Sequence, residues 1–596
     1  MNGGMQESWP GSGPSPEPSP ERSPEQRNPP RSARRACAVS AALLASFLFL
    51  AASPGDTGGR AAARDPSLNG ILAYIHGAWD SLTRSTTTCS GIQDPKLRAA
   101  PVLYLPSGFP EPPEVERMRR KCGVRVESLP PITHKGGPGE PDRIEPPGLL
   151  YLENPYVVPG GRFNEMYGWD SYFIIRGLLD DGRLDLARGM VDNFFFEIEH
   201  YGAVLNANRT YYLTRSQPPF LSSMVMAVYE AENAAQKPDR AWLEKAYGYV
   251  KRDHAMWTGE AHLAGPTGLS RYYDFGEGPA IEALQDENDI YRQAAAYFLF
   301  HPAAPPRAAL EAEVAAGAAS GAPYAVRVCS TGPSQSCEPE QRIKLEPDYY
   351  KGDRSMRESG FDISFRFGPF GAFTHHFAPV CLNSLLFKTE RDLSAMSRVL
   401  GDPAEAARWQ ALADSRKAAV EQYLWDAEQG LFFDYNFESS RQSDYRYATT
   451  FYPLWAGLAT DEEARAVMKN LPLFEQPGGL AMSLAASQGQ WDYPFGWAPI
   501  QLLAVEGMRR YGYNSDADRV SRAFLSTVLE NFERDKNIRE KYNVVTRSSE
   551  TGVRAGYSAN VIGFGWTNAT FLVLLDSLPP EKAGHLRVPA AEAAPK

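Results

Sequence analysis

From about residue 165 onward the chain repeats apolar residues at spacings of three and four, and strand-like alternation is scarce. A helix of 3.6 residues per turn collects such positions on one face, so this period most constrains what the chain can fold into. In 184–198 the stripe is Leu184, Ala187, Met190, Val191, Phe194, Phe195 and Ile198. In 240–257 it is Trp242, Leu243, Ala246, Tyr247, Val250 and Trp257. Segments 380–400, 403–425, 497–511, 516–533 and 565–577 read the same way. Turn signals separate several of them: Gly401-Asp402-Pro403, Pro477-Gly478-Gly479 and Tyr511-Gly512-Tyr513-Asn514. Many helices on short connections indicate an all-α architecture, either an open solenoid or a closed barrel. No 34- or 40-residue motif repeats, which weakens the solenoid.

The ends and one internal stretch break the pattern. Residues 1–33 are rich in Pro, Ser and Glu and read as a disordered tail. Arg31, Arg34 and Arg35 then precede an apolar run at 36–52, followed by small residues. Segment 34–53 therefore reads as a signal peptide or an uncleaved membrane anchor, and the expectation is a periplasmic or secreted protein. Residues 54–68 read as a linker, 69–150 as a proline-rich wrap around the main body, and 581–596 as a second disordered tail. The Ala-, Pro- and Gly-rich stretch 301–345 reads as a surface insertion within one catalytic domain at 69–580.

Charge and cysteines narrow the function. The net charge of −11, without basic clusters, argues against nucleic-acid binding. A membrane enters only through an N-terminal anchor. Six cysteines leave five outside the leader, and Cys329 with Cys337 flank a short loop that a disulfide could close. No CxxC or HExxH pattern occurs, so no metal site is expected. Aromatics make up 12% of the chain, and flat rings suit the apolar faces of sugars.

Two segments concentrate groups that can handle a polyol. PGGRFNEMYGWDSYF at 159–173 brings an arginine fork, a flat indole and a carboxylate between glycines: Arg162, Trp169 and Asp170. QWDYPFGWAP at 490–499 again joins Trp and Asp, in a loop entering a helix. Each also has a plain structural reading, as an aromatic helix start or a capped loop.

Both segments resemble the two signature motifs of trehalases, glycoside hydrolase family 37, with Phe495 where the family usually has Asn. Further matches follow in family order, at NANRTYYLTRSQPP (206–219), ESGFD (358–362), EKYN (540–543) and GFGWTN (563–568). The resemblance covers roughly 150–575 and implies an (α/α)6 barrel, or toroid, in agreement with the helical period. It implies an inverting glycosidase acting on a small sugar, α,α-trehalose, without a cofactor. Asp362 resembles the general acid and Glu540 the general base. Arg162, Trp169, Asp170, Asn206, Arg215, Ser216, Gln217, Glu282 and Gly360 match sugar-contacting positions.

The chain leaves the family pattern at two more places. Ala280 stands where a substrate-contacting arginine is usual, and the loop 544–562 lacks the glutamate usual before Tyr557. With the insertion, these changes are expected to reshape one rim of the pocket and to shift selectivity away from trehalose. The alternatives are a related α-glycosidase with another disaccharide or glycan substrate, and a catalytically silent sugar-binding homologue.

Overall fold

The computed structural model describes residues 66–92, 101–131, 144–284, 289–301, 310–311, 324–326, 340–487, 489–557, 560–584 and 586. The tails and the leader at 34–53 lie outside the described residues.

Six helices form a closed inner ring. They are α2 (Gly168–Asp180), α4 (Leu221–Ala234), α7 (Val380–Val399), α9 (Tyr452–Ala456), α11 (Ala498–Arg510) and α13 (Gly565–Ser577). Each touches the next, and α13 returns to α2. Six more pack outside: α1 (Asn69–Leu82), α3 (Leu184–His200), α5 (Arg240–Trp257), α8 (Pro403–Tyr423), α10 (Asp461–Lys469) and α12 (Asn514–Asp535). The expected toroid is therefore present. The helices foreseen from periodicity appear with their ends shifted by at most two residues.

Residue patterning explains which helix lies where. The inner α2, α11 and α13 are buried on nearly every face, as a helix with apolar residues all round must be. The outer α8 buries only Ala406, Trp409, Ala413, Arg416 and Val420, one stripe at helical spacing. Asp402 caps α8 by accepting from the Glu405 N–H, with Pro403 in the first turn. Thr460 and Glu463 form a reciprocal capping box on α10. Where α13 meets α2, a Cβ on Gly177 would lie 2.6 Å from that of Ala569, so glycine permits the contact that closes the ring.

The N-terminal region is more than a wrap, because α1 supplies the sixth outer helix. Its Trp79 is fully buried and donates from Nε1 to Asp181 at 2.6 Å. Next to it, β1 (Val102–Leu105) lies between β2 (Arg125–Ser128) and β3 (Leu149–Leu150) in a parallel sheet. The disulfide joins Cys89 to Cys122, whereas Cys329 and Cys337 lie outside the described residues. Cys381 is a buried free thiol.

Within 301–345 the described residues form a three-stranded antiparallel sheet, Leu310–Glu311, Gln341–Leu345 and Tyr324–Val326. Val326, Ile343 and Leu345 enter a second apolar cluster together with Ala280, Ile363 and Ala555. The insertion and both divergent positions thus share one packing unit beside the ring. The helix α6 (Pro347–Glu358) leads from this sheet into the ESGFD segment. Among the described residues no helix is long and apolar enough to cross a membrane.

Candidate active site

A cavity of about 380 Å³ opens at one end of the ring. This falls within the roughly 300–1,000 Å³ usual for small-ligand sites. Part of its wall comes from residues at, or shortly before, the N-termini of inner helices. Trp169 and Asp170 start α2, Gln217 precedes α4, Trp491 precedes α11, and Phe564 and Trp566 open α13. Exposed backbone N–H groups and helix dipoles at such ends favour acceptor atoms.

The two segments singled out by sequence meet here. Trp491 stacks on Trp497 at 3.8 Å, and Trp169 lies 5.7 Å from Trp491, between ring centres. β4 (Phe495–Trp497) pairs antiparallel with β5 (Lys541–Asn543), which places Glu540 directly beside the second motif. Asp492 stays outside the cavity lining. It accepts from Ser364 Oγ and the Phe365 N–H at 2.8 Å each, and from Ser487, and so ties down the loop after Asp362.

Asp362 and Glu540 face the same cavity in different surroundings. Burial pushes the Asp362 carboxyl up to about 7, against the opposing pull of Arg357 and Arg215. Glu540 is 2% exposed and accepts from the Tyr557 hydroxyl, and Lys541 Nζ lies 3.5 Å from its other oxygen. Burial pushes the Lys541 ammonium down, opposed by Glu540.

Arg162, Trp169, Asp170, Asn206, Arg215, Gln217, Glu282 and Gly360 all line the cavity. Arg162 lies over the rings of Phe163 and Tyr557, near 5 Å from each. Arg215 pairs with Glu282 and, through Nη1 at 3.8 Å, with Asp274, while its Nε and the Glu282 Oε2 make no hydrogen bond among the described residues. Burial alone would raise the Glu282 carboxyl, but Arg215 and Arg357 outweigh it and bring it to about 2. Gly360 has φ +76°, and a Cβ there would meet the Trp169 ring at 2.8 Å. Ser216 is not brought to the cavity. Its hydroxyl donates to the Val204 carbonyl and its N–H to Glu358.

Sequence reasoning missed Arg357. It lines the cavity, with Nη1 3.9 Å from Asp362, while Nε and Nη2 clamp Asp353 at 3.0 and 3.2 Å. Asp353 also accepts from Tyr291, whose hydroxyl accepts the Ala280 N–H. The divergent Ala280 is thus wired to an arginine that reaches the pocket from α6 instead. The signal lay in plain view, one residue before ESGFD. Tyr557 was visible as a loop residue, without its bond to Glu540.

A helical toroid holding two carboxyls, stacked indoles and buried guanidinium groups in one cavity defines a barrel-type glycoside hydrolase. The trehalase family model matches residues 140–345 and 344–579. A probable trehalase of Eremothecium gossypii is 35% identical over 574 residues, covering 85% of this chain and 72% of that one. A cytosolic neutral trehalase of Saccharomyces cerevisiae is 36% identical over 559 residues, covering 83% and 70%. The solved structure of neutral trehalase Nth1 from Saccharomyces cerevisiae superposes with a TM-score of 0.69 at 33% identity, covering 87% of this chain and 96% of that one. This chain belongs to the trehalase family.

These relatives correct one expectation. Several are named cytosolic neutral trehalases, which overturns the periplasmic or secreted placement and the signal peptide read at 34–53. An apolar run behind arginines satisfies the export pattern by composition alone. Similarity that spans most of the chain outweighs so local a signal.

Proposed function

We propose that this enzyme hydrolyses α,α-trehalose to two glucose molecules with inversion, Asp362 serving as general acid and Glu540 as general base. The observation that carries the reading is the contrast between two carboxyls on one cavity. Asp362, raised to about 7, can still hold a proton near neutrality. Glu540 is addressed by Tyr557 and Lys541, groups that orient it as an acceptor.

Asp362 gives its proton to the glycosidic oxygen as the bond to the anomeric carbon breaks. Glu540 takes a proton from a water that attacks that carbon from the opposite face. An inverting pair leaves roughly 6.5–9.5 Å between its carboxyls for that water. One product emerges as β-glucose, and the released half keeps its α configuration. Arg162, Asn206, Arg215, Gln217, Glu282 and Arg357 would bond the sugar hydroxyls, with Trp169 and Trp491 providing flat walls. Arg357 answers the expected loss of selectivity at Ala280, because a guanidinium still reaches the pocket.

The test is glucose release from trehalose by the purified chain, beside Asp362→Asn and Glu540→Gln. Both variants should lose nearly all turnover while still binding trehalose, and proton NMR should first show equal α- and β-glucose. Turnover surviving in either variant, or two products of one anomer, would overturn the assignment. Binding without turnover by the unaltered chain would favour the silent homologue.

A further inference from the structure

The ESGFD loop and the EKYN strand lie far apart in sequence, yet one buried side chain touches both. Gln490 is 1% exposed. Its Nε2 donates to the Asp362 carbonyl at 2.5 Å, and its Oε1 accepts from Lys541 Nζ at 3.1 Å. The neighbouring Trp491 N–H donates to the Ile363 carbonyl at 3.2 Å, so the acid's loop is held at two consecutive carbonyls. Gln490 is itself fixed from behind. Its N–H donates to the Ala555 carbonyl at 3.0 Å, and its carbonyl accepts from Trp497 Nε1 at 2.8 Å. The divergent loop packs directly on it, since a Cβ on Gly556 would meet the Gln490 carboxamide at 2.7 Å.

Lys541 is fully buried and its ammonium has two partners of unequal reach. Gln490 Oε1 lies at 3.1 Å and Glu540 Oε2 at 3.5 Å. The rings of Tyr557 and Trp497 confine the ammonium, at 4.0 and 5.2 Å. Gln490 therefore takes the shorter bond and holds the cation back from Glu540. A closer ion pair at that oxygen would stabilise the carboxylate and weaken it as a base toward water.

We infer that Gln490 is the positioning residue that sets the acid against the base, acting through the Asp362 carbonyl on one side and through Lys541 on the other. This rests on the proposed roles of Asp362 and Glu540. Gln490 need not touch the sugar, and it does not line the cavity. Its loss should therefore change the rate of the chemical step more than substrate binding.

The experiment measures kcat and KM on trehalose for Gln490→Leu, Gln490→Glu, Lys541→Met and the double variant Gln490→Leu with Lys541→Met. Gln490→Leu should lower kcat on the order of 10²-fold, the scale of a misplaced reacting group. KM should move less than about threefold, because ground-state contacts survive. Gln490→Glu keeps the acceptor for Lys541 and loses the donor to Asp362, so it should recover part of kcat. The double variant should be no slower than the worse single one, because groups acting as a unit are non-additive. Additive losses, an effect confined to KM, or kcat within twofold of the unaltered enzyme in Gln490→Leu would overturn the inference. Thermal melting separates misfolding: a variant that melts with the unaltered enzyme and loses kcat has lost positioning. Should Asp362→Asn and Glu540→Gln stay active, the catalytic reading itself fails. Should they be silent and Gln490→Leu be normal, only this inference fails.

Discussion

Arg357 stands with Nη1 3.9 Å from the Asp362 carboxyl while its Nε and Nη2 grip Asp353. The residue that steadies the candidate acid is thus anchored on its own helix, one turn back. Replacing it with Ala removes a cation that holds the Asp362 carboxyl down. The Asp362 carboxyl should then rise further, and the alkaline limb of activity should move to higher pH. Losing the proposed charged hydrogen bond from Arg357 to a sugar hydroxyl costs roughly 1.5–3 kcal/mol, so kcat/KM should fall about tenfold or more. A pH profile of unchanged position in Arg357→Ala would contradict the coupling.

The Asp362 value of about 7 predicts the alkaline limb of the native enzyme. The acid must carry its proton, so kcat/KM should decline as pH rises through about 7. Stability has the same sign. A carboxyl raised on folding binds more protons in the folded state, so its contribution is lost as pH climbs from the unfolded value toward about 7. Asp362→Asn should therefore melt no lower than the native chain at pH 8, although inactive. Calorimetry of the two proteins checks this.

Gly360→Ala should impair both folding and turnover. The new Cβ would sit 2.8 Å from the Trp169 ring, at φ +76°. A non-glycine residue in this region costs roughly 1–3 kcal/mol before any clash. A drop in melting temperature together with loss of kcat is the expected result. Retention of both would mean the loop can relax.

Ser216→Ala separates a support role from a sugar contact. The hydroxyl is spent on the Val204 carbonyl, away from the cavity. Stability should fall by about 1 kcal/mol, the worth of an ordinary hydrogen bond. KM for trehalose should stay unchanged. A several-fold rise in KM would restore Ser216 to the sugar site.

The helices were legible in the sequence because helix burial is a local property, and the ring through the family resemblance. The apolar periods in 184–198 and 565–577 mark both as helices, while only the packing shows that the first lies outside and the second inside. The wrap at 69–150 was less legible, since nothing local announces that α1 completes the outer layer by packing on α13. At the site, Arg162, Trp169 and Gly360 were found through motif resemblance, and the structure draws them into one cavity with Asp362 and Glu540. Ser216 shared a motif with Gln217 and yet turns away, because adjacent side chains on an extended loop point in different directions.

The sequence by itself determined the helical period and, through the resemblance its motifs carry, the family and the toroid that family implies. These are carried by periodicity and by contiguous motifs. Only the tertiary structure decided how the carboxyls differ, that Arg357 reaches the pocket beside the altered Ala280, and that Gln490 joins the acid's loop to Lys541. Burial and contacts between segments brought together by folding set those properties, the longest link joining Gln490 to the Asp362 carbonyl across 128 positions, and they exist only once the ring has closed.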